Sequence, residues 1–149
     1  MKKILFALIS IMTIIIAQDK NPGSSPKVKC VVSGDQIDST EYSSYKEGKV
    51  YFCCGGCKDD FDSNSAKFTS NANFQLVSSK QYSQTSCPIT GRSIKASKFV
   101  IADGLKVTFC CNNCLGKAKK SEDNVSLLFS DATFSKGFSP IEKKIKSKK

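Results

Sequence analysis

Histidine does not occur anywhere in this 149-residue chain. Its absence removes the usual base that activates a serine or cysteine nucleophile, so neither a Ser-His nor a Cys-His mechanism can be written. It also removes imidazole as a metal ligand. No glycine-rich phosphate loop is present. The one long apolar run, Ile4 to Ala17, is 14 residues, against the roughly 18 that crossing a bilayer requires. Hydrolases, phosphotransferases and ordinary membrane spans are set aside, and the chain reads as non-enzymatic.

That apolar run follows Lys2 and Lys3 and gives way to the polar Gln18 and Asp19 after Ala17, the anatomy of a secretory signal over residues 1–17. The expectation is export to the periplasm or the extracellular space. Ile15 occupies the −3 position where a small residue is preferred, so an uncleaved signal would leave the protein anchored. The formal charge is +10; without Lys2 and Lys3, 21 basic against 13 acidic residues leave +8. Half of that lies in residues 142–149, where five lysines face one glutamate. Such a tail reads as a solvated end, with contact to an anionic surface as its sharper use. No aromatic residues interleave with those lysines, which argues against nucleic acid. Residues 18–27, with Asn21-Pro22-Gly23-Ser24-Ser25-Pro26, form a flexible leader.

Sliding the sequence against itself by 57 residues superimposes every cysteine: Cys30 on Cys87, Cys53 on Cys110, Cys54 on Cys111 and Cys57 on Cys114. Gly34 falls on Gly91, Ile37 on Ile94, Lys49 on Lys106, Val50 on Val107 and Phe52 on Phe109. The chain is a tandem repeat, with modules at 28–70 and 85–141. Between them residues 71–84 form a polar connector with some structure, packed on one module through Phe74, Leu76, Val77 and Tyr82.

Each copy reads as α+β. Lys49-Val50-Tyr51-Phe52-Cys53 and Lys106-Val107-Thr108-Phe109-Cys110 alternate and are rich in β-branched and aromatic residues, predicting one arm of a hairpin. Gly48 and Gly104 precede these strands, where a turn calls for positive φ. Gly55-Gly56 and Asn112-Asn113 predict a tight corner of left-handed tolerance, followed by a short helix with Cys57 or Cys114 in its first turn. Cys57 then shares a helical face with Phe61, and Cys114 with Ala118. Phe68, Leu127, Leu128 and Phe129 close the core.

A strand ending in cysteine, a corner and a helix opening with cysteine bring two sulfurs within reach of one ion, and a turn at the first cysteine can deliver a third. The helix N-terminus is expected to lower the thiol pKa of Cys57 and Cys114. Cys54 and Cys111 follow immediately on strand residues and are candidate fourth ligands. Without them each site is a trithiolate with an open position, suited to exchange. Thiolates without imidazole favour a soft ion, zinc or copper(I), about one per module.

Two rival readings use the same cysteines. An exported chain with an even cysteine count can be a disulfide-stabilised structural or interaction module that binds no metal. Against this, three cysteines within five residues pair awkwardly. Cys54-Gly55-Gly56-Cys57 and Cys111-Asn112-Asn113-Cys114 also satisfy the C-x-x-C redox pattern, but a thioredoxin-like fold needs about a hundred residues of βαβ pattern.

The pattern Cys30-Val-Val-Ser-Gly34 with Tyr51-Phe52-Cys53-Cys54-Gly55-Gly56-Cys57, and its second copy, resembles the YHS and TRASH domains. The resemblance covers about residues 28–70 and 85–135, and the C-x22-C-x3-C spacing carries it. It implies two small treble-clef-like modules, each a β-hairpin plus short helices around a cysteine metal site. It implies ligand sets Cys30, Cys53, Cys57 and Cys87, Cys110, Cys114, and roles in metal sensing, trafficking or resistance, with a metal-donating or metal-accepting protein as partner. The Tyr-His-Ser element itself is absent. Ala118 and Lys119 replace Phe61 and Asp62 of the first helix, which predicts a looser second site.

Overall fold

Residues 27–142 are described in the computed structural model. The expected signal peptide, the leader up to residue 26 and residues 143–149 of the lysine tail lie outside them. Strands β1 (Asp38–Tyr45) and β2 (Gly48–Phe52) are followed by helix α1 (Gly55–Ser63), a 3-10 turn (Ser65–Phe68), α2 (Thr69–Ser78) and β3 (Tyr82–Gln84). The second half runs β4 (Lys95–Ala102), β5 (Leu105–Phe109), α3 (Asn112–Lys120), α4 (Asn124–Phe129), α5 (Asp131–Gly137) and β6 (Phe138–Pro140). Among the described residues the class is α+β, built from three two-stranded antiparallel sheets and short helices.

Hairpins β1-β2 and β4-β5 are copies of one another down to their register. Asp38 pairs with Phe52 and Tyr42 with Tyr51; 57 residues on, Lys95 pairs with Phe109 and Phe99 with Thr108, with the same irregularity between the paired positions. The alternation of the K-V-x-F segments turns Val50, Phe52, Val107 and Phe109 fully inward. Burying each such side chain contributes about 1.5–3 kcal/mol.

The hairpin turns divide the labour differently from expectation. Asp103 and Gly104 both take positive φ, 44° and 83°, as a type I′ turn requires. In the first hairpin Lys46 takes the left-handed conformation, at φ 52°, and Gly48 does not. Gly48 is instead closely approached: a Cβ there would stand 2.7 Å from Gln81 Oε1 and 2.8 Å from Leu76 Cδ2, so those side-chain ends would have to shift. The Gly55-Gly56 and Asn112-Asn113 corners also need no left-handed backbone. These residues open α1 and α3, and the change of direction is made by Cys54 and Cys111, N-caps in extended conformation with φ −164° and −153°.

Residues 71–84 pack against both halves rather than one. They carry most of α2 and all of β3; α2 lies against β2 on one side and α4 on the other, and β3 pairs with β6. Phe74 meets Phe129 edge-on at 5.2 Å between ring centres, Phe129 stacks on Phe138 at 5.1 Å, and Phe134 bridges Phe138 and Tyr82 at 5.4 and 5.1 Å. Lys46 from the first hairpin turn reaches Asp131 at the start of α5, 2.9 Å away, and Asn73 of α2 donates to the same carboxylate. Both modules therefore share one aromatic core, with α2 as its middle layer. Among the described residues no helix is long and apolar enough to cross a membrane.

Candidate metal centre

Three elements deliver the sulfurs in each module. The first cysteine sits in a tight turn: Gly34 N–H donates to the Cys30 carbonyl at 2.9 Å and Cys30 N–H to the Asp35 carbonyl at 2.8 Å, repeated by Gly91 to Cys87 at 2.7 Å and Cys87 to Arg92 at 2.9 Å. Closing that turn needs the positive φ of Gly34 and Gly91, 80° and 72°, which glycine adopts without steric cost. The second cysteine ends the hairpin and the third lies in the first turn of α1 or α3. The result is two triads, Cys30/Cys53/Cys57 and Cys87/Cys110/Cys114, each with its sulfurs within 4.8 Å of one another.

Those spacings suit a metal ion. Tetrahedral thiolates about 2.3 Å from zinc lie about 3.8 Å apart; Cys53 and Cys57 sulfurs are 3.6 Å apart, and Cys110 and Cys114 sulfurs 3.8 Å. All eight cysteines are free thiols. The candidate fourth ligands fall outside the mutual 4.8 Å grouping but remain adjacent: Cys54 is 3.8 Å from Cys53, and Cys111 is 3.5 Å from Cys114. The turn, the hairpin end and the helix start of each module therefore contribute three sulfurs, with a fourth adjacent.

The electrostatics redistribute the protons from the expected pattern. Burial pushes the Cys30 thiol up, but the amides of Ser33, Val32 and Cys53 and the Ser33 hydroxyl outweigh it and bring it from 9.0 down to about 7. Cys87 behaves alike: burial raises it, while the Cys110, Thr90 and Ile89 amides and the Thr90 hydroxyl lower it to about 7. The helix N-termini act on the N-cap thiols rather than on those in the first turn. The Cys57 amide holds Cys54 below its usual range, and the Cys114 amide brings Cys111 to about 7. Cys57 moves the other way, to about 12, chiefly because its thiol hydrogen-bonds to Cys53. Cys114 also reaches about 12, through burial and then its contacts with Cys111 and Cys110. The expectation that Cys57 and Cys114 are the acidic thiols is overturned, since helical amides act on the N-cap thiol while the third cysteine lies among other sulfurs.

Several supporting residues are invisible to the repeat. Gln75 of α2 clamps β2 to the first turn: it accepts from Tyr51 N–H at 2.7 Å and donates to the carbonyls of Tyr51 and Lys29 at 2.9 and 2.6 Å. Gln84 of β3 makes the matching set in the second module, accepting from Thr108 N–H at 2.9 Å and donating to the Thr108 and Ser86 carbonyls at 2.6 and 3.0 Å. Tyr51 and Lys29 correspond to Thr108 and Ser86 under the 57-residue shift, yet the two glutamines do not correspond: Gln75 maps onto Ala132. Ser33 and Thr90 place hydroxyls 3.4 and 3.2 Å from Cys53 and Cys110, a match the repeat does announce.

The two centres differ in enclosure. Cys53 and Cys57 are half-buried and Cys54 is exposed, whereas Cys110 and Cys114 are buried and Cys111 half-buried. The expected looser second site is thus the more enclosed one; α3 lies against both β5 and α4, and the small Ala118 is fully buried where Phe61 fills the first module. Arg92 adds a cation 3.7 Å from Cys111, where the first module has Asp35. No family model matches this chain, and no curated protein or solved structure matches it either.

Proposed function

We propose that this is an exported, non-enzymatic metal-binding protein that takes up one soft ion, zinc or copper(I), at each triad, and buffers or hands on that metal outside the cytoplasm. The observation that carries the reading is the convergence of six cysteines, from three separate elements per module, into two groups whose sulfur spacings suit tetrahedral thiolate coordination. Free thiols and the lack of histidine support a soft ion. The likeness of the cysteine spacing to YHS and TRASH domains points the same way. Export rests on residues 1–17, and the lysine tail offers contact with an anionic surface. The partners would be a metal donor and a metal acceptor.

Elemental analysis with parallel thiol titration, on protein recovered from an exporting host without chelator, tests this. About two equivalents of zinc or copper per chain are expected, falling by one in Cys57→Ser and by one in Cys114→Ser. Equal metal content in wild type and Cys57→Ser would sink the assignment.

A further inference from the structure

We propose that the two triads divide the work: Cys30/Cys53/Cys57 is the exchange site, and Cys87/Cys110/Cys114 retains its ion. The proposal rests on the metal-binding reading above and adds a difference in kinetics between the sites.

A thiolate-bound ion leaves by ligand exchange. An incoming thiolate or chelator donor forms a bond to the metal as one cysteine sulfur–metal bond breaks; the released cysteine takes a proton from solvent, and no electrons change hands. That step needs access to the ion and to the sulfur being displaced, and the shell around a site controls such access. In the first module Cys53 and Cys57 both reach solvent, and Cys54 beside them is exposed. In the second module all three ligand sulfurs belong to buried residues.

The flanking residues differ in the same sense. At matching positions Lys58 follows Cys57 and Leu115 follows Cys114, and Asp35 stands where Arg92 does. Arg92 approaches Cys111 from outside and offsets the negative charge that thiolates leave on a bound divalent or monovalent ion. In the first module Lys58 is paired with Asp62 at 3.1 Å instead of with a sulfur, and residues 28–70 carry seven acidic against five basic residues, while 85–141 carry eight basic against four acidic. Asp59 and Asp60, exposed on α1 just beyond Cys57, extend the acidic rim. The first site is open and anionic; the second is closed and partly neutralised.

The experiment loads the reduced protein with zinc alone and follows release to excess chromophoric chelator by stopped flow. Two equivalents should leave in two phases of equal amplitude, separated by on the order of 10-fold or more. Cys57→Ser should delete the fast phase and Cys114→Ser the slow one. Arg92→Ala, an exposed position unconnected to the core, should accelerate the slow phase and leave the fast one unchanged, which keeps the test decisive if Cys114→Ser fails to fold. Two bound equivalents lost in a single phase, or a slow phase deleted by Cys57→Ser, would overturn the division of labour while leaving metal binding intact. A chain that binds no zinc would overturn both.

Discussion

Gln75 supports the first cysteine triad without contributing a ligand. It is 2 % exposed, and its amide ties the backbone at Lys29, next to Cys30, to the backbone at Tyr51, two residues before Cys53. Gln75→Ala removes three hydrogen bonds at once. At a net contribution of about 1 kcal/mol each the loss is about 3 kcal/mol; partial access of water to the freed carbonyl of exposed Lys29 moderates it, while the vacated volume adds to it. Gln81 provides the comparison. It clamps Lys49 N–H and C=O in the same way, each bond 2.7 Å, but through solvent-exposed bonds from a half-buried side chain, so Gln81→Ala should cost about 1 kcal/mol. Urea unfolding of the reduced protein measures both, with an unchanged slope required for the comparison. Metal titration adds a second readout: Gln75→Ala should weaken zinc binding at the first site on the order of 10-fold or more, while Gln84→Ala does so at the second. Equal stability losses from Gln75→Ala and Gln81→Ala, or equal weakening of both sites by Gln75→Ala, would refute the clamp.

Two further outcomes are expected. Phe129 joins α4 to Phe74 and Phe138, so Phe129→Ala should cost about 3–5 kcal/mol and lower amide exchange protection in both hairpins together; unchanged protection in β1-β2 would mean the modules do not share a core. Stability of the reduced, chelator-treated protein should depend on pH with two opposite slopes. Cys30 and Cys87, lowered from 9.0 to about 7, contribute stability that is fully present above pH 9 and lost as pH falls through 7. Cys57 and Cys114, raised to about 12, contribute stability that is present below pH 9 and lost as pH climbs through 12. The urea midpoint should therefore rise from pH 7 to 9 and fall above it; a midpoint that declines between 7 and 9 would contradict the hydrogen bonding described around Cys30 and Cys87.

What the sequence disclosed, and what it hid, follows from which physical signals repeat. The hairpins were legible because Val50 and Phe52, with Val107 and Phe109, alternate with polar residues at the period of a strand. The triads were legible because the 57-residue shift aligns the cysteines and the turn-forming Gly34 and Gly91. Helix α2 was not. Thr69-Ser70-Asn71-Ala72-Asn73-Phe74-Gln75-Leu76-Val77-Ser78 is poor in strong helix formers, and much of what it buries is polar: Asn73 and Gln75 are interior because their amides satisfy backbone groups of other segments. A composition-based reading assigns such residues to a surface connector, since burial of amides is favourable only where partners are already in place. Those partners, Tyr51, Lys29 and Phe129, are distant in sequence. The thiol acidities are hidden in the sequence for a related reason: proximity to a helix N-terminus does not say which of two neighbouring cysteines its amides act on.

The polar middle layer also bears on how two small cysteine triads could serve the unequal roles proposed for them. A module of about 40 residues has too little interior to hold a fold alone and usually depends on its metal. Losing the ion from an isolated exchange site would then unfold it, and release would be coupled to local unfolding. Here α2, the Phe74–Phe129–Phe138 stack and the Lys46–Asp131 pair tie the first module to the second. The shared core, together with the Gln75 clamp, keeps the turn at Cys30 beside the end of β2 by contacts that involve no sulfur. An open site can then give up its ion and remain shaped for the next one, which is what repeated exchange demands and what a free-standing module of this size would lack.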